Sequence, residues 1–122
     1  MTLLLVFLGG GLGAVARHLA GLAATASFGV AFPWGTLLVN VTGCLVMGIL
    51  AKALPAAGAD WRLFLMTGIL GGYTTFSAFG LDTLTLIERG DTGAALGYVA
   101  ASVTLSLAAV ALGLAIGHML AR

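Results

Sequence analysis

Four stretches of this chain carry no Asp, Glu, Lys or Arg: residues 1–16, 19–51, 63–81 and 92–121. A helix crossing the hydrocarbon core of a bilayer needs about 20 mostly apolar residues. In lipid every backbone polar group must be satisfied internally, so such stretches become helices unless protein or water covers them. A spanning barrel would instead alternate apolar and polar residues over about ten positions, and that pattern is absent. Charged residues make up 7% of the chain, against roughly 25% in soluble domains. The sequence therefore predicts an all-α integral membrane protein, one membrane domain over residues 1–122. Its four transmembrane helices are expected at 3–24, 34–54, 62–87 and 93–120.

Local signals support these limits. Pro33 suits a helix start, where its missing N–H is not needed, and Pro55 ends the second span. Asp60 is expected to cap the third. Arg17 and His18 fall inside the first span. No basic residue precedes that span, so it is expected to stay in place rather than be cleaved as a leader. Cys44 lies mid-span as a small apolar filler. A net charge of +1 gives no sign of nucleic-acid binding.

Basic residues normally mark the cytoplasmic side. Four spans put Lys52, Arg62 and Arg122 on one side, with Arg89 and Arg17 towards the other. Such a small bias leaves two readings open: an additional orientation signal, or insertion both ways with antiparallel self-pairing. Gly9/Gly13, Gly93/Gly97 and Gly113/Gly117 are each four apart. That spacing lets helix backbones approach closely.

Polar groups within the spans face a bundle interior or a wet cavity. Thr36 and Asn40 share a face of the second helix. Tyr98, Ser102 and Ser106 form a stripe on the fourth, unless the serines merely bond carbonyls one turn back. Asn40 either clamps helices or lines a path. The third span carries GILGGYTTFSAFG at 68–80. Gly71-Gly72 weakens a helix by about 1 kcal/mol per glycine, and Thr74, Thr75 and Ser77 compete for backbone groups. A break over Gly71–Ser77 follows, of the kind that binds ions at mid-depth. Phe76 and Phe79 stand just past it, three apart. Asp82 is the one acid within a span. There is no Cys/His cluster for a transition metal, no nucleophile with a neighbouring His and no phosphate loop, so an enzyme is not expected. The available groups are hydroxyls, an amide and aromatic ring edges, which are electropositive. They suit a small, hard anion.

The blocks GGGLGAVAR at 9–17, PWGTLLVNVTGCLVMG at 33–48 and GILGGYTTFSAFGLD at 68–82, in this order, resemble the Fluc/CrcB fluoride channel family over the whole chain. The resemblance implies an antiparallel, dual-topology homodimer in the cell membrane that lets cytoplasmic fluoride leave passively and so gives fluoride resistance. It implies fluoride-pathway roles for Phe76, Phe79, Asn40, Ser77, Thr75, Tyr98, Ser102, Ser106 and Thr36, with Arg17 in a positive vestibule. It also implies a structural sodium ion at the dimer centre, held by the main-chain carbonyls of Gly71 and Thr74 from both copies. This sequence departs from the family at Ala78, Gly80, Asp82 and His18, which puts two peripheral hydroxyls in doubt.

Two rivals stay open at this stage. A small dual-topology exporter of organic cations would trade protons on a membrane-embedded acid, and the first span has none. A non-conducting membrane subunit would pass no ions by itself.

Overall fold

The computed structural model describes residues 1–56 and 59–122, all-helical apart from short connections among the described residues. Helix α1 runs Thr2–Phe28 and α2 runs Trp34–Ala53. The third span opens with a single turn, α3 (Ala59–Arg62), and continues through π-helical turns at Leu63–Leu70. Another turn, α4 (Gly71–Tyr73), then precedes α5 (Phe76–Glu88). The last helix, α6, spans Thr92–Leu120. Four of these helical stretches are long and apolar enough to cross a membrane: Thr2–Phe28, Trp34–Ala53, Asp60–Glu88 and Thr92–Leu120.

The chain thus makes a multi-pass membrane protein, with four helices where four are expected. Their ends differ in instructive ways. The first helix continues past residue 24 to Phe28 and stops at Gly29, whose φ of 80° lies in the left-handed region open to glycine. Leu54, before Pro55, is extended at φ −85°, ψ 131°, as a residue preceding proline must be. Asp60 lies in the first turn of α3 rather than ahead of it, where a carboxylate still meets the positive end of the helix. Arg62 donates from Nη1 to the carbonyl of Leu54 at 3.0 Å and to that of Ala51 at 3.5 Å. A cation there satisfies orphan carbonyls at the end of α2.

The helices pack as two parallel pairs. α1 lies along the π-helical turns and α4, and α2 lies along α6. Glycine sets both contacts. A Cβ on Gly13 would stand 2.0 Å from the Ile69 carbonyl oxygen, and one on Gly72 2.4 Å from that of Gly10. Across the second pair, a Cβ on Gly48 would meet the Val110 oxygen at 2.4 Å, and one on Gly113 the Leu45 oxygen at 2.2 Å. Gly9/Gly13 and Gly113/Gly117 therefore act in close packing. Gly93 and Gly97 do not: a Cβ at either meets nothing within 4 Å. Their part of α6 lies beyond the glycine-tight contact with α2, so equal spacing carries no equal role.

Little is buried. The core is Leu37, Leu86, Ala95 and Tyr98, with Phe32 and Phe79 packed against it. Large apolar side chains such as Phe7, Leu12, Leu81, Leu96 and Leu107 stay exposed along the helices. Lipid is as apolar as these side chains, so their exposure carries no penalty in a bilayer.

Candidate functional site

The third span opens at Thr74 (φ −82°, ψ 158°) and Thr75 (φ −153°, ψ 124°), both extended. These two residues fall at the middle of Asp60–Glu88. The expected break is therefore present, but Gly71 and Gly72 are still helical. The opening comes after the glycines because α2 captures the backbone there. Asn40 Nδ2 donates to the Thr75 carbonyl at 2.9 Å, and the Thr75 N–H donates to Asn40 Oδ1 at 2.8 Å. The amide thus imitates a neighbouring strand. The Thr75 hydroxyl accepts from the Ala78 N–H at 3.2 Å, which caps α5.

Other freed groups find partners from a distance. Thr74 donates both its N–H and its hydroxyl to the Leu70 carbonyl, each at 3.0 Å. Arg17 Nε donates to the Gly72 carbonyl at 3.1 Å, so the charge inside the first span answers an acceptor at the break. The hydroxyls of Thr42 and Tyr73 share a hydrogen bond of 2.9 Å. Gly43 leaves room at this point, since a Cβ on it would sit 2.4 Å from Thr74 Cγ2. Among the described residues, the carbonyls of Gly71 and Thr74 accept no hydrogen bond.

A cleft of about 370 Å³ lies between α2, the break and α6. It brings together six of the ten residues expected on the fluoride pathway, Asn40, Thr75, Phe76, Phe79, Ser102 and Ser106, and Thr74 also borders it. Cys44, Met47, Val103 and Leu107 make its apolar wall. Phe76 and Phe79 are tilted at 57° with centroids 5.5 Å apart. Phe76 is 81% exposed, so within this chain it leans on little else. Ser102 is only 7% exposed, yet its hydroxyl has no hydrogen-bond partner. Thr42, Thr74 and Thr83 all donate their hydroxyl protons to the carbonyl four residues back, so those protons are not free for an anion. Ser102 does not take that option. Asn40 uses one of its two amide N–H groups on Thr75, and the second is uncommitted.

The other four expected residues lie elsewhere. Arg17 and Thr36 line a second cleft of about 290 Å³ with His18, Val39 and Ala78. Thr75 borders both clefts. Ser77 is exposed and shares a 3.3 Å hydrogen bond with Thr75. Tyr98 is fully buried in the core, where its hydroxyl donates to Asp82 Oδ2 at 3.1 Å. Asp82 is therefore engaged by the last helix. The pair of hydrogen bonds between Asn40 and Thr75 clamps α2 to the third span, one of the two roles its sequence position allows; its partner, the Arg17–Gly72 contact and the Thr42–Tyr73 pair have no local signature. All three join residues at least 31 positions apart, beyond the reach of helical periodicity.

Four spans, a helix interrupted at mid-depth and a cleft holding unspent donors beside that interruption define a multi-pass membrane protein of the ion-pathway type. Residues 4–114 match the model of the family described as CrcB-like protein, Camphor Resistance (CrcB). The chain belongs to the CrcB family. It is 52% identical over 119 residues to the fluoride-specific ion channel FluC 2 of Nitrobacter hamburgensis, covering 95% of this chain and 96% of that one. It is 53% identical over 117 residues to the fluoride-specific ion channel FluC of Rhizobium meliloti (93% and 94% covered). The FluC of Rhodopseudomonas palustris is 54% identical over 119 residues, with 95% and 96% covered.

Proposed function

We propose that this protein is a passive, fluoride-selective channel that works as an antiparallel homodimer. The observation that carries the reading is the buried, unpaired Ser102 hydroxyl in a cleft shared with Phe76 and Phe79. A buried hydroxyl without a partner is disfavoured by about 1–3 kcal/mol. A passing ion that accepts its proton removes that penalty. Fluoride is small and a strong acceptor, so it suits hydroxyl, amide and ring-edge donors that replace its water. Ser106 and the second N–H of Asn40 extend the series. Conduction needs each site to bind firmly enough to admit the ion and weakly enough to release it. The relatives named as fluoride-specific channels support this substrate.

Arg17 supplies positive potential in the second cleft, where Thr36 and Thr75 offer hydroxyls. Anions are drawn there on the other side of Thr75 from Ser102. Ser77 adds a hydroxyl at the exposed start of α5. Tyr98 acts behind the cleft, through its ring rather than its engaged hydroxyl.

Three features favour a second copy. Extended backbone at mid-depth is untenable against lipid. Gly71, beside that break, is exposed, and so is the Phe76 ring. The nearly balanced basic residues allow both orientations. The free carbonyls of Gly71 and Thr74 fit a hard cation, which takes oxygen ligands. Two from each copy would hold a sodium ion, and its charge would tie the interrupted helices together. Replacing sodium with N-methyl-D-glucamine is then expected to lower the melting midpoint of the purified dimer; an unchanged midpoint speaks against the ion.

Reconstitution tests the channel. Liposomes containing the protein are expected to release fluoride far faster than chloride, with no proton gradient. Phe76→Ile and Ser102→Ala are each expected to slow fluoride release by about tenfold with the dimer intact. Release matching empty liposomes rejects the channel, and full-rate release by both variants rejects the cleft as its path.

A further inference from the structure

Six aromatic rings form one continuous run through the molecule. Phe76 meets Phe79 at 5.5 Å, Phe79 meets Tyr98 at 5.2 Å, and Tyr98 meets Phe32 at 5.4 Å. Phe32 meets Trp34 at 4.7 Å, and Trp34 meets Phe28 at 5.6 Å. The run starts in the cleft and ends at the connection between α1 and α2. Only its first two members line the cleft. Aromatic pairs at these distances favour edge-to-face or offset geometry, so one ring's angle constrains the next.

Tyr98 is the fixed point of this run. It is fully buried, and Asp82 holds its hydroxyl. That bond stops the ring sliding along its axis, but it does not stop rotation about that axis. Phe32 does. It stands edge-on to Tyr98 at 86°, does not line the cleft, and packs into the same core as Phe79. The plane of Tyr98 in turn sets Phe79, tilted against it at 51°.

We infer that Phe32, remote from the cleft, is a positioning residue that fixes the ring edge Phe79 presents to a passing ion, acting through Tyr98. This rests on the cleft being the fluoride path. A ring edge offers its positive potential along narrow directions, so a small rotation of Phe79 weakens the site without emptying it. Loss of Phe32 therefore changes how each channel conducts, not how many channels form.

Unitary fluoride currents in planar bilayers distinguish these effects. Phe32→Leu is expected to lower the unitary current by about two- to tenfold, the equivalent of one aromatic pair, and to reduce the fluoride-over-chloride ratio. Phe32→Tyr, which keeps the ring, is expected to restore both. A purely structural role would reduce channel number and leave unitary current and selectivity alone; that result overturns the inference. Phe79→Ile serves as reference. If Phe79→Ile blocks current while Phe32→Leu conducts normally, the positioning role fails and the pathway stands. If both conduct normally, the pathway itself fails and the inference with it. Should Phe32→Leu not fold, Phe32→Met supplies a flexible apolar side chain without a ring, and a normal unitary current from it overturns the inference equally.

Discussion

At the scale of single residues, Asn40 and Ser102 divide the work of the site. Both are polar groups within spans, and both line the same cleft. Asn40 is anchored by two hydrogen bonds to the Thr75 backbone, whereas Ser102 has none. Asn40 therefore has a structural duty in addition to any contact with an ion. Asn40→Ala leaves the N–H and carbonyl of Thr75 without partners and is expected to destabilise the protein by about 1–3 kcal/mol, read as a lower melting midpoint in detergent. Asn40→Asp keeps the acceptor for the Thr75 N–H and loses the donor. Equal midpoints for Asn40→Ala and the parent would show that the break holds itself open. Sequence spacing singled out both residues but could not rank them. The partner of Asn40 lies 35 positions away, and no local pattern encodes it.

Among the elements, the third span shows how far local signals reach. Two glycines and a run of hydroxyl residues mark an interruption, and the interruption exists. Its position is decided by α2: Thr75 opens because Asn40 reaches it, while Gly71 and Gly72 stay helical. Glycine has a second duty here, which is proximity. Gly68 and Gly72 face Gly9 and Gly10 of α1, so removing side chains brings two backbones together as much as it weakens a helix. The π-helical turns at Leu63–Leu70 have no signature in their Leu-rich sequence. Gly13→Ala would drive a Cβ against the Ile69 carbonyl and is expected to destabilise by about 1–3 kcal/mol. Gly97→Ala meets open space and is expected to be neutral within the chain or slightly stabilising. Paired thermal melts compare them directly; matching curves would remove the close contact between α1 and the third span.

For the whole molecule, the decisive quantities are burial and charge. One chain buries few side chains, too few to enclose a path across a membrane. Gly71, Phe76 and Ser77, which flank the half-buried break, remain exposed on its surface. The proposed self-pairing of inverted copies would cover them, and the basic residues permit it: Lys52, Arg62 and Arg122 against Arg17 and Arg89. Orientation is thus expected to be tunable. Added lysines in the connection carrying Arg89 should force one orientation, and added lysines after Arg122 the other. Each variant alone is expected to lose fluoride release in cells, and co-expression of the two should restore it. Full activity of either variant alone would exclude the inverted pair.

The sequence by itself determined the solvent, the number of spans, an interruption somewhere within Gly71–Ser77, and the kinds of polar group carried inside the spans. These follow from charge, periodicity and helix propensity, which are properties of neighbours along the chain. Only the tertiary structure decided which of those groups are free. Asn40 is bound to Thr75, Tyr98 to Asp82 and Arg17 to Gly72, while Ser102 has no partner. Whether a donor is available depends on what stands within 3 Å of it, and helices distant in sequence supply those neighbours.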